Sequence, residues 1–236
     1  MKLGYLKSEF EKNAMERYKP FKLDSSLTEI GICALVAPNG VGALVKADKA
    51  TALKAEGFIF EASPLDPYGR GDQYNVNPTF ANAGVREYRK LGMIRKGFAV
   101  INNDNGDRLG TYWRMVDEDL TGTVATTSGS TAVVGTSTTF TTSLKVGDYI
   151  TIATVSGVYQ VATIADDTHL TLSANASATA SGKVVTAKNM YGKPLYLADN
   201  TVDIQVQTLK PTSNIQVVGR IEHTDIIEFD IDIVMN

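Results

Sequence analysis

Apolar and polar positions alternate with a period of two over much of this chain, and that pattern predicts β-strands. The clearest instance is Ile226–Met235, with Phe229, Ile231 and Ile233 on one face and Glu228, Asp230 and Asp232 on the other. Thr28–Ala37 and Val41–Ala47 are apolar runs flanking Pro38-Asn39-Gly40, residue types of a tight turn, and so predict a hairpin. Gly57–Ala62 follows, with Phe58 and Phe60 on one face. Gly97–Ile101 and Leu109–Val116 flank Asn102-Asn103-Asp104-Asn105-Gly106-Asp107, whose Asn105-Gly106 pair supplies the positive φ angles of a second hairpin. That places Trp113 in a returning core strand. Gly192–Leu197, Val202–Val206 and Ile215–Ile221 read as further strands.

Two stretches break the alternation. Leu3, Leu6, Phe10 and Ala14 recur at three-to-four spacing with Lys7, Glu9, Lys12 and Glu16 between them, which predicts an amphipathic helix within residues 1–23, ended by Pro20. A helix this short needs a surface, either its own domain or a neighbouring subunit that it reaches as an arm. Ser63–Phe80 is rich in Pro, Gly, Asp and Asn, and a loop of that length in a compact domain is commonly a contact segment.

A block of different flavour interrupts the strands. From Thr121 to Thr186, Thr, Ser, Ala and Val dominate, and the only lysines are Lys145 and Lys183. Strand-rich sequence of one kind brackets this block, so residues 119–187 read as an inserted β-domain. The host is then an all-β barrel or sandwich built from 24–118 plus 188–236, preceded by the 1–23 segment. Within the insertion, Phe140, Leu144 and Val146 lead into a turn at Gly147-Asp148, and Tyr149–Ile152 is a strand. Ser156-Gly157 predicts a turn, Val158–Ile164 a strand, Asp166-Asp167-Thr168 another turn, and Leu170 opens the next strand.

Composition sharpens this only a little. With 43% hydrophobic and 21% charged residues among 236, the chain is that of an ordinary globular protein of one large or two small domains. A net charge of −3 gives no support to nucleic-acid binding. Basic residues outnumber acidic ones in 1–22, and Glu222–Asp232 is acidic without a base, a polarity that suits either a solvated surface or docking between copies. No apolar run approaches the ~18 residues of a membrane span, and the first residues lack the apolar core of a secretory signal, so synthesis and assembly in a cytoplasm are expected.

The chemistry-bearing residues are sparse. The single cysteine, Cys33, lies in an apolar strand-like run where Cys acts as a small hydrophobe. His169 and His223 have no companion in sequence, so no zinc site and no nucleophile–base pair can be nominated. Asp166-Asp167 reads as a turn, and Asp230 with Asp232 as a solvated strand face. Asn102–Asp107 offers oxygen ligands with Gly106 out of register for a calcium loop. Gly40-Val41-Gly42 lacks the third glycine of a dinucleotide fingerprint. Arg70-Gly71-Asp72 matches a cell-attachment tripeptide, as chance allows in such a loop. A non-enzymatic protein with no cofactor and no metal is expected.

Gly135, Thr136, Phe140, Thr141, Leu144, Val146, Gly147, Asp148, Ile150, Asp167, Thr168, Leu170, Thr171 and Leu172 form a pattern that resembles a β-module recurring in virion proteins of tailed bacteriophages. Gly192–Leu197 and Val217-Val218-Gly219-Arg220-Ile221, followed by the terminal alternating strand, resemble the closing strands of small phage head decoration proteins. The resemblance implies a cement, or auxiliary capsid, protein on the capsid outer surface. Its partner would be the major capsid protein, with homo-oligomers or neighbouring copies, and with no nucleic acid and no membrane. The basic N-terminal segment (Leu3, Leu6, Phe10, Arg17) and the 63–80 loop (Tyr68, Arg70, Tyr74) are the expected contacts, since Tyr and Arg are enriched at binding hot spots. A tail, baseplate or fibre component is the alternative. So is a carbohydrate-binding adhesive module, for which the insertion supplies only Phe140, Tyr149 and Tyr159, two of them expected to be buried.

Overall fold

The computed structural model describes the backbone of residues 2–5, 14–17, 21–24, 34–38, 43–64, 85–94, 96–102, 113–199 and 205–231, and the side chains of 35–37, 45–57, 96–99, 113–199 and 205–231. The chain divides into two compact units. The first comprises residues 1–110, 194–206 and 211–236, and the second comprises 111–193 and 207–210. The second unit begins and ends outside the 119–187 block marked by composition, and just beyond that block Asp117 accepts from Lys188 Nζ and from Asn189 N–H.

In the first unit, β1 (Lys2–Tyr5), β2 (Ala14–Arg17) and β3 (Phe21–Asp24) occupy the segment where a helix was expected. β2 and β3 pair with successive stretches of one long strand, β7 (Val85–Ile94): Ala14 opposite Ile94, Arg17 opposite Leu91, Phe21 opposite Tyr88 and Asp24 opposite Val85. The helical spacing of Leu3, Leu6, Phe10 and Ala14 is thus overridden. A short helix is marginal, whereas a strand beside β7 gains a ladder of hydrogen bonds. β4 (Ala34–Pro38) and β5 (Ala43–Lys46) form the expected hairpin, with Val36 opposite Lys46. β6 (Gly57–Pro64) pairs with both β4 and β7, and β3 pairs with β5 in parallel. The order β7-β3-β5-β4-β6 therefore returns to β7 as a closed five-stranded barrel, with β2 a sixth strand that pairs, among the described residues, with β7 alone. After one intervening residue β7 passes into β8 (Lys96–Asn102), which belongs to a second sheet.

In the second unit, β9 (Glu118–Asp119), β10 (Thr123–Thr126), β11 (Ala132–Thr136), the single turn of helix α1 (Phe140–Ser143), β12 (Tyr149–Ile152), β13 (Val155–Ile164), β14 (His169–Leu172), β15 (Ala180–Lys183) and β16 (Val185–Ala187) follow in order. β15 and β16 are parted by Val184 alone; the first pairs with β10 and the second with β12 and β9. Residues 180–187 thus close the sheet on itself as a small barrel. Its core holds Val124, Val133, Phe140, Ile150, Tyr159, Val161 and Leu170, all at most 5% exposed.

Two local expectations are corrected here. The β12–β13 turn falls at Ala153-Thr154, with Thr154 at φ 67°, and Ser156-Gly157 lies inside β13. The register slips between Ile150 and Ile152, and Gly157 takes φ 115° there, so the Ser-Gly pair marks a bulge. Trp113 is buried as expected, yet 113–117 form no strand; Arg114 offers its carbonyl to Met190 N–H outside any ladder.

The second sheet also contains β17 (Pro194–Leu197), β18 (Val206–Gln207, of which Val206 belongs to the first unit), β19 (Val217–His223) and β20 (Ile226–Asp230), in the order β1-β8-β20-β19-β17-β18. The predicted alternation of the last strand holds over its described part: Ile227, Phe229 and Ile231 are buried, while Glu228 and Asp230 are half-exposed and pair with Arg220 (3.1 Å) and Lys96 (2.8 Å). Two glutamines tie the early and late segments of this unit. Gln205 accepts from Leu35 N–H (2.9 Å) and donates to the carbonyls of Leu35 and Ala47 (both 3.0 Å). Gln216 clasps Ala55 N–H and C=O in the same way. The described residues are mainly β.

Candidate interaction surface

The residues of the 135–172 pattern converge on the turns of the second unit. Asp167 lies between β13 and β14. Its carbonyl accepts the Thr138 hydroxyl (2.6 Å) and Phe140 N–H (3.2 Å), and its carboxylate accepts Thr141 N–H (3.1 Å) and the Thr141 hydroxyl. This lock drives Phe140 into the core. Gly135 N–H donates to Thr168 O (2.6 Å), and a Cβ at Gly135 would overlap the Thr138 side chain. Asp166 accepts from Thr168 N–H (2.7 Å) and hydroxyl (2.8 Å) and lies 3.0 Å from His169 Nδ1. These bonds hold its carboxyl down at about 2. His169 therefore has companions that sequence spacing did not reveal, in one exposed turn.

The Leu144–Asp148 turn is built similarly. Asp148 Oδ2 accepts Lys145 N–H (2.9 Å), and Asp148 N–H donates back to Lys145 O. Partial burial pushes the Asp148 carboxyl up and the Lys145 ammonium down. Gly147 sits at φ 90°, and a Cβ there would overlap Thr208 Oγ1 and lie 2.7 Å from Leu209 N. The pattern residues are thus fold-determining. The Asp148 and Asp167 carboxylates accept backbone N–H groups of the unit's own turns.

What remains outward is of two kinds. One end of the unit carries ion pairs: Arg114 Nε to Glu118 (3.0 Å), with Arg114 Nη2 donating to Ser143 O; Lys188 to Asp117, which keeps the Asp117 carboxyl low; and Lys193 4.7 Å above the Tyr149 ring. Val116 (69% exposed), Val146 (50%) and Tyr191 (59%) lie among them. The barrel wall instead carries mostly small and hydroxyl side chains. Across β10, β11, β14 and β13, Ala125 is opposite Val134 and Val134 opposite His169, while Ala132 is opposite Thr171, whose hydroxyl meets that of Thr163 at 2.7 Å. Of the three aromatic residues that a sugar-binding face would use, Phe140 and Tyr159 are buried and Tyr149 is half-buried.

Of the expected contact residues, Leu3 lies on β1 opposite Ile101 and Arg17 on β2 opposite Leu91, strands of different sheets, so these two are not brought together. Leu6, Phe10, Tyr68, Arg70 and Tyr74 lie outside the described residues, as do Cys33, Asn103–Asp107 and Asp232. Among the described residues no three His, Cys, Asp or Glu side chains gather as a metal site, and no helix is long and apolar enough to cross a membrane. Arg114, Gln205 and Gln216 carry structural bonds that sequence reasoning missed, because a polar residue on an expected strand gives no signal of its partner.

No protein-family model matches the chain, and no curated protein matches it. Among solved structures it is similar to a chain of Mycobacterium phage Patience at 13% identity, covering 98% of this chain and 97% of that one, with a TM-score of 0.36. A superposition of that quality fixes neither architecture nor role.

Proposed function

We propose that the chain is a non-enzymatic structural protein of a tailed-phage virion, which binds the outside of the capsid and cements neighbouring capsomers. The observation that carries this reading is the second unit. The pattern that resembles a virion module supplies turn locks around Asp148 and Asp167, beside a wall of mostly Thr, Ala and Val. Such a barrel is a rigid spacer. Many copies bridging joints of a shell would each need only a weak contact, since a tethered second contact sees a high effective concentration. The major capsid protein is the partner this requires. The test is copy number per particle, from quantitative mass spectrometry of purified virions against the major capsid protein. Hundreds of copies in fixed proportion to the shell are expected; a dozen would assign the chain to the tail, baseplate or a fibre and overturn the capsid role.

A further inference from the structure

The strand β1 differs from every other strand of its sheet except β18 in being an edge: among the described residues it pairs with β8 alone, Lys2 opposite Asn102 through Tyr5 opposite Ala99. Its receptor is fixed independently of it. β8 is held on its other side by β20 over Lys96–Val100 and runs directly on from the barrel strand β7. β2, which follows β1, pairs with β7 in the other sheet, so removing β1 from β8 breaks no pairing of that sheet. Chain length permits the removal. Tyr5 docks opposite Ala99 and Ala14 opposite Ile94, five residues apart along the β7–β8 path, roughly 17 Å of strand at most, whereas the nine steps from Tyr5 to Ala14 reach up to roughly 30 Å.

From this placement we infer that β1 is an exchangeable strand: residues 2–5 of one copy add to the β8 edge of a second copy, linking copies of the chain. The antiparallel ladder is made by main-chain groups and is identical whether the strand comes from the same chain or another, so exchange sacrifices no hydrogen bond. It is favoured wherever copies are held close together, because the effective concentration of the neighbour's strand then competes with that of the chain's own. The inference goes beyond the proposed virion role and does not depend on it.

Two single-cysteine chains test it, Gly4→Cys and Val100→Cys, each with Cys33→Ser. Positions 4 and 100 are directly opposite, within disulfide range in a paired ladder. The chains are unfolded together, refolded as a mixture and oxidised, with the double variant on one chain as the control for closure. A mixed 4–100 disulfide dimer, identified by mass spectrometry, is the expected product. Sedimentation of the unmodified full chain should show dimers or larger species that revert to monomer when residues 2–5 are deleted. A full chain that stays monomeric at all concentrations would overturn the inference. So would oligomers that survive the deletion, or a double variant that closes only within its own chain while the mixture gives no mixed dimer.

Discussion

Gly147 and Gly129 share a left-handed backbone, at φ 90° and 79°, and differ in what surrounds them. A side chain at Gly129 meets nothing within 4 Å, whereas one at Gly147 overlaps Thr208 Oγ1 and crowds the Leu209 backbone. Gly129→Ala therefore carries backbone strain alone, about 1 kcal/mol. Gly147→Ala carries that strain and an overpacking cost, together about 2–4 kcal/mol. Chemical denaturation of both variants checks this; equal losses would show that Thr208 gives way freely. Gly219 is restricted differently, because its Cβ would overlap Glu228 O on the neighbouring strand. Gly135, Gly147 and Gly219 thus record close approaches, whereas Gly192 at φ 70° has open space around it, a difference that residue identity alone does not display.

At the scale of elements, legibility followed burial on one face. Tyr149–Ile152 and Ile226–Asp230 were readable because alternate side chains enter a core. β7 was not read, because Arg86, Glu87, Arg89 and Lys90 interrupt its apolar positions, although it is the strand on which β2, β3 and β6 all assemble. The N-terminal helix expectation failed for a related reason: four apolar residues fit a helical stripe, and only the partner strand decides between periods. The β13–β14 turn makes a pH prediction. Asp166 has its folded pKa depressed to about 2 from 3.8 by Thr168 and His169. A depressed carboxyl contributes stability that is present above its unfolded value and lost as pH falls through the folded one. Asp166→Asn should therefore melt below the natural protein at pH 7, with the difference shrinking as pH falls through about 4 and vanishing only below about pH 2. A difference constant over that range would mean that the turn does not depend on the carboxylate charge.

For the whole molecule, the division into two units rests on two separately buried cores, and each has a side chain on which its closure depends. In the first unit Gln205 is 6% exposed and satisfies one N–H and two carbonyls on β4 and beside β5. Leucine at that site fills similar volume and leaves Leu35 N–H and Ala47 C=O without the amide, while Leu35 C=O keeps Ala47 N–H, a loss of about 2–4 kcal/mol. In the second unit Gly147 admits Thr208, whose carbonyl also accepts Gln160 Nε2 (2.9 Å), so the short return segment 207–210 is held by that turn. If each core melts cooperatively on its own, calorimetry of the full chain resolves two transitions. Gln205→Leu should then lower one of them and Gly147→Ala the other, with the double variant showing the sum, because the two sites share no partner. A single transition lowered by both variants would show that the units fold as one cooperative body, and the second unit would then be an elaboration of the first rather than a module added to it.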